Sequence, residues 1–411
     1  MIESIRSGSW LTDERVRAYA LIMLGLAAAA IIIWVALADG LIDRNAKPIG
    51  TDFSNVWSAG RLVLEGAPEA SYDPAQHYAA QRKAFGGRDV PFYGWHYPPI
   101  FLGVAALLAM FPYGLALALW MVTTLAGYLA AMRAIVPVQG YALVMLVALA
   151  YPAVFVNIGH GQNGFLTAAL LGGALVLLDR KPLLAGLLIG LLAYKPQFGV
   201  LIPLVLAATG RWQSFGAAAA TVLAAAGLSF LVFGSDTWVA FGESTSFTRD
   251  HVLEAGGTGW QKIQSAFSAA RSWGASTGLA YGLQGLCAVF AAGSLTWLWR
   301  SQAAFALKAA GLATASLLAT PYVLDYDMMV LAVALAFFAA HGLERGFLPY
   351  EKTVLAGVWL TPLIARSVAG ATLVPLGFIA MGVLFTLILH RAVQDLDTAN
   401  VFTRSKNLAQ A

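Results

Sequence analysis

Asp52, in Thr51-Asp52-Phe53, precedes a stretch (53–65) in which Phe53, Val56, Trp57 and Leu64 recur at helical spacing and which Gly66 ends. Its carboxylate can cap that helix. It can also take a proton from a hydroxyl held just above a membrane. The turn Asn157-Ile158-Gly159-His160-Gly161-Gln162-Asn163 gathers His160, Gln162 and Asn163, side chains that hydrogen-bond hydroxyls well; a plain polar connector is the alternative. Lys195 and Gln197, in Tyr194-Lys195-Pro196-Gln197, separate two short apolar runs. An ammonium there can hold a phosphate or snorkel to water.

Four weaker sets complete the inventory. In Trp95-His96-Tyr97-Pro98-Pro99 the aromatics read as an interfacial belt, with His96 and Tyr97 within reach of a ligand. Tyr72-Asp73-Pro74 reads as a turn. Arg249 and His251, in a polar stretch rich in Gly and Ser, can meet an anion or form solvated surface. Tyr322 and Asp325, in Pro321-Tyr322-Val323-Leu324-Asp325-Tyr326-Asp327, precede an apolar run, where an acid commonly caps a helix or edges a polar cavity.

The elements that position these groups follow from composition. Of 411 residues, 59% are hydrophobic and 11% charged, against about 25% charged in soluble domains. An ordinary soluble protein and a disordered chain are both excluded. The 25 Lys and Arg residues are scattered singly rather than grouped in a stripe, so the net charge of +4 does not indicate nucleic acid. Cys287 is the single cysteine, a small packing residue, and no intrachain disulfide can form. Walker, HExxH and CxxC motifs are absent.

The fold class expected is therefore an all-α polytopic membrane protein. The first apolar run, 19–37, is too long for a typical signal-peptide core and reads as an uncleaved helix. Later runs lie near 99–132, 140–157, 164–178, 182–194, 197–208, 214–233, 276–299, 303–319, 328–340, 353–368 and 372–389. Arg and Lys in short loops put both termini inside, with roughly 12 crossings, if the start of 99–132 is only re-entrant or interfacial. The expected organisation is a cytoplasmic segment 1–17, one transmembrane domain 18–391 with external loops of about 39–98 and 234–275, and a cytoplasmic tail 392–411. All the polar clusters then fall on the outer face.

The order and spacing of Thr51-Asp52-Phe53, Tyr72-Asp73-Pro74, Tyr97-Pro98-Pro99, His160-Gly161-Gln162-Asn163, Lys195-Pro196-Gln197 and Pro321-Tyr322…Asp325-Tyr326 resemble the GT-C membrane glycosyltransferases, and within them glycosyltransferase family 87. The resemblance spans about residues 15–390. It implies a polyprenyl-phosphate sugar donor, mannose transfer to a lipid or glycan acceptor, Asp52 as catalytic base and Lys195 near the donor phosphate. It also implies a bacterial inner-membrane enzyme whose site faces the periplasm or exterior. Some GT-C enzymes carry two adjacent acids in this loop, whereas Asp52 has no acidic neighbour. No cofactor and no metal are therefore expected. The alternative is a secondary transporter or lipid flippase without catalytic chemistry, which would carry coupling carboxylates inside its apolar runs. A membrane scaffold would have no use for an outward polar cavity.

Overall fold

A computed structural model describes residues 2–136 and 141–410, without the side chains of 399–410. Most side chains of the expected tail 392–411, and the first residue of the run 140–157, lie outside that description. Among the described residues the chain is helical, with isolated bridges in place of strands. It is an all-α polytopic membrane protein. Seven helices are long and apolar enough to cross a bilayer, or eight if the bent pair Tyr141–Leu149 and Pro152–His160 makes one span.

This is fewer full-length spans than the roughly twelve expected, and the runs 182–194 and 197–208 are, as their length suggests, too short for full spans. The other runs form helices of 10–17 residues: Gly164–Leu177, Pro182–Tyr194, Pro196–Ala208 and Phe305–Leu318. A helix rises 1.5 Å per residue, so these cannot each cover about 30 Å of hydrocarbon. The run from 99 divides as expected. A short helix, Pro99–Ala109, lies along Phe53–Leu64, and a separate span, Tyr113–Ile135, follows it. Gly60 permits that contact, because a Cβ there would lie 2.0 Å from the Ala105 carbonyl oxygen.

Asp325–Arg345 is the central span, 78% buried, whereas Asp13–Ala36 is only 6% buried and exposes apolar side chains all round. Such exposure is stable against lipid and not against water. The main core cluster draws on residues from Ile42 to Ala392, and a second, smaller one gathers Leu253, Ile263, Phe267, Leu324 and Tyr326.

The expected loop 234–275 is largely helical. Trp212–Phe247 runs on past a kink at Gly234, whose φ is +81°, into a π-helical turn, Thr248–Glu254. A glycine ends a periodic pattern on the page but tolerates a kink in the fold. Beyond it stand the short turn Trp260–Lys262 and the helix Ala266–Ser272. The segment 39–98 is likewise structured. Phe53–Leu64 and Pro74–Ala84 are α-helices, and Asp73 caps the second by accepting from the Gln76 N–H at 2.8 Å. Phe53 and Val56 are buried in the first helix, whereas Leu64 is exposed.

Candidate active site

Two glycines bring the Asp52 segment onto the turn after Pro152–His160. Gly161 is in the left-handed region at φ +63°, and a Cβ on it would lie 2.6 Å from Phe53 Cβ and 3.2 Å from Gly50 Cα. The Asp52 N–H donates to the His160 carbonyl at 2.9 Å. Tyr113 holds the other side, its hydroxyl donating to the carbonyls of Ile49 and Gly50 at 2.7 and 3.0 Å.

Asp52 occupies the cap position of Phe53–Leu64, but its carboxylate makes no capping bond. Its backbone is already helical at φ −78°, ψ −21°, so the side chain points away from the first-turn amides. Gln162 Nε2 donates to Asp52 Oδ2 at 3.1 Å, and His160 Nδ1 lies 3.7 Å from the same oxygen. His160 Nδ1 is also 2.9 Å from Thr51 Oγ1. Asp52 Oδ1 has no hydrogen-bond partner among the described residues, and the side chain keeps 16% of its exposure.

Gln162 is oriented by its other contacts. Its carbonyl oxygen accepts from the Tyr97 hydroxyl at 3.2 Å and from the Asn163 N–H at 2.9 Å. Asn163 Nδ2 donates to that same hydroxyl at 2.8 Å. With both acceptor directions filled, the amide NH2 must face Asp52. Asp52, Tyr97, His160, Gln162 and Asn163 thus form one network. His96 borders it, its Nδ1 2.8 Å from Thr248 Oγ1. Burial pushes the His96 imidazole down to about 4, against the charge of Asp52, which raises it.

Other expected site residues lie differently. Lys195 neither reaches water nor stands free for a phosphate. It is 5% exposed and its Nζ donates to Asp327 Oδ1 at 2.7 Å. An ammonium buried at a helix break needs a carboxylate, and Asp327 supplies one from across the bundle. Lys195 Nζ also lies 5.1 Å from the Tyr326 ring centre, and that ring stands edge-on to His160 at 5.7 Å. Gln197 makes no side-chain hydrogen bond with the described residues and does not join this pair. Arg249 is exposed and pairs with Asp250 at 2.7 Å and Glu254 at 3.8 Å. His251 is exposed and stacks on Phe247 at 4.2 Å. Neither enters the network, because the extended helix carries them on its outer surface.

Tyr322 and buried Asp325 approach from the central span. Asp325 accepts from the Tyr326 N–H at 2.9 Å and faces a cation that sequence reading overlooked. Arg366, on Glu351–Thr372, lies 3.6 Å from Asp325 Oδ2 and keeps 43% of its side-chain exposure. A lone arginine inside the run 353–368 was the available signal.

Lys262 is the second cation. A bridge between Ile263 and Leu324, with the Gln264 N–H donating to the Val323 carbonyl at 2.7 Å, ties its turn to the Tyr322–Asp325 segment. Lys262 is half-buried and has no carboxylate within ion-pairing distance among the described residues. Burial, and next the charge of Arg366, lower its pKa, while Asp52 and Asp325 raise it. Lys262 and Arg366 thus stand by the Tyr322–Asp325 segment, and Asp52, within electrostatic reach of Lys262, keeps one carboxylate oxygen free. Among the described residues no three His, Cys, Asp or Glu side chains are arranged to hold a metal ion.

The model of glycosyltransferase family 87 matches residues 95–321, more than half of the chain. No curated protein and no solved structure matches it. The match covers Tyr97, the 157–163 turn, Lys195 and Lys262; Asp52 and Arg366 lie outside it.

Proposed function

The chain belongs to glycosyltransferase family 87, and from that premise we propose that it moves a hexose, mannose being the leading candidate, from a polyprenyl phosphate to an acceptor hydroxyl, with inversion. The observation that carries this reading is Asp52, whose Oδ1 is free while Gln162 holds Oδ2 beside His160; the turn bearing the unpaired Lys262 is tied to the Tyr322–Asp325 segment, where the half-exposed Arg366 meets Asp325.

An acceptor hydroxyl donates to Asp52 Oδ1. As its oxygen bonds to the anomeric carbon, the proton passes to the carboxylate. The bond from that carbon to the phosphate oxygen breaks on the opposite face, and its electron pair leaves with the polyprenyl phosphate. A β-linked donor then gives an α-glycoside. Gln162 holds Oδ2, so the carboxylate keeps its aim. Lys262 and Arg366 hold the leaving phosphate and stabilise its growing charge; Lys195, neutralised by Asp327, is freed of that role. The proposed reaction draws its positive charge from these side chains and needs no divalent metal or other cofactor. The site opens at the outer face of a bacterial inner membrane, with the polyprenyl tail among the membrane lipids and helices.

Purified protein in lipid, given labelled polyprenyl-phosphate mannose and a membrane extract as acceptor, tests the reading. Asp52→Asn should lower turnover about 10²–10⁴-fold, the usual worth of a general base. Turnover within threefold of wild type sinks the role of Asp52. Failure to consume any polyprenyl-phosphate sugar sinks the donor class.

A further inference from the structure

A cleft of about 340 Å³ lies between the Trp260–Lys262 turn, the Ala266–Ser272 helix and the outer end of Glu351–Thr372. Its polar lining is Trp260, Gln261, Gln264, Ser268 and Ser272, and none of its lining residues is charged. The larger cavity, about 490 Å³, is instead lined by Glu69, Asp73, Asp236 and Glu243. The neutral cleft presents an indole ring, the Gln261 amide and the Ser272 hydroxyl oxygen, groups that suit a neutral polyhydroxylated ligand. Its volume falls within the range of small-molecule sites.

The walls of the cleft are fixed; the Trp260 indole N–H is buried without a partner, and the Gln261 side chain is the unpartnered group at the surface. The Gln264 amide is spent on the Gln261 carbonyl at 2.7 Å and on the Gly377 N–H at 3.1 Å. Arg271 lies 5.1 Å from the Trp260 ring centre. Leu373 at the rim has φ +62°, a costly conformation for leucine, and its carbonyl accepts from the Trp273 indole N–H at 2.9 Å. The Gln261 side chain is exposed and makes no hydrogen bond with the described residues, so its amide has a donor and an acceptor to offer. The cleft also adjoins the cations of the active site. Lys262 follows Gln261 directly, and Arg366 lies one helical turn before Gly370, which lines the cleft.

We propose that this cleft binds a neutral sugar residue of the acceptor, next to the unit whose hydroxyl meets Asp52, so that the acceptor is a glycan of at least two units. The inference rests on the glycosyltransferase reading for the word acceptor. Its test does not, because no donor is present.

The test is fluorine NMR of 5-fluorotryptophan-labelled protein in lipid nanodiscs, titrated with methyl α-D-mannopyranoside. Loss of one resonance in Trp260→Phe assigns Trp260. That resonance should shift saturably in wild type and in Gly370→Ala, where the added Cβ meets Gln261 Cγ at an ordinary 3.7 Å. Gly370→Leu fills the cleft and should weaken the response at least tenfold. Should that variant fail to fold, Gln261→Ala carries the test, with half-saturation raised about three- to tenfold for one lost neutral hydrogen bond. An unmoved Trp260 resonance in wild type, or equal shifts in wild type and in a folded cleft variant, overturns the proposal. Sugar binding without transfer overturns the enzyme reading alone.

Discussion

The two ends of the bundle treat their charges in opposite ways. At the end opposite Asp52, Arg391 is 2% exposed and held by three acceptors, although Glu351 keeps one buried oxygen without a partner. It donates to Glu351 and Asp395 at 2.8 Å each and to the Gly346 carbonyl at 3.0 Å, while His341 lies 2.7 Å from Asp395. At the Asp52 end, Lys262 has no carboxylate partner among the described residues, Arg366 approaches Asp325 only to 3.6 Å, and Asp52 leaves one oxygen open. Satisfied charges tie helices together. Unsatisfied charges that the fold nonetheless holds near one another are what a ligand completes. The Asp52 end holds both kinds, the closed Lys195–Asp327 pair that serves the fold and the loosely paired Arg366 and unpaired Lys262 that stay accessible.

The largest expected effect on stability breaks the closed lattice. Arg391→Met strands Glu351 and Asp395 and should cost about 3–5 kcal/mol, seen as a large fall in thermal unfolding temperature in lipid. Lys195→Met should cost a similar amount, because Asp327 is then buried alone. The double variant Lys195→Met/Asp327→Leu should recover most of that loss and keep the KM for donor. A stable double variant with donor KM raised more than tenfold would return Lys195 to the phosphate and blur the contrast.

The open end should respond in the opposite sense. Arg366→Gln should lower kcat/KM for donor about 10–100-fold, the worth of a hydrogen bond to a charged group, with little change in unfolding temperature. An unfolding temperature that falls as far as in Arg391→Met, with activity per folded molecule intact, would make Arg366 a strut as well.

What the sequence made legible divides along the same line. The all-α membrane class followed from 59% hydrophobic residues, and the separate helix before Tyr113 followed from placing the short Arg- and Lys-bearing loops on one side of the membrane. The network of Asp52, Tyr97, His160, Gln162 and Asn163 assembles from clusters that stood out as polar islands. Partners across the bundle were illegible. Asp327 lies 132 residues from Lys195, so no local pattern announces that a lysine before a proline is already neutralised. Gly234 looks like a loop boundary but is a kink, which carried Arg249 and His251 onto the wrong surface. Arg366 was passed over because a single charge does not break an apolar run, although its very isolation marked it.

The smallest expected effect separates the two ends by their histidines. His341 has Asp395 as partner, whereas His77, fully buried on Pro74–Ala84, has no hydrogen bond at either ring nitrogen. Burial pushes His77 down to about 3, with a smaller contribution from His96. Its unfolded value is about 6.5, so the unfolded chain binds the proton first as pH falls. Stability linked to His77 is therefore complete above about pH 6.5 and is lost progressively toward pH 3. At pH 5 the loss reaches about 2 kcal/mol, from roughly 1.5 pH units at about 1.4 kcal/mol each. Unfolding temperatures at pH 7 and pH 5 should differ less in His77→Phe than in wild type. An equal difference in both would move the acid sensitivity away from this side chain and leave the helix over the site insensitive to it.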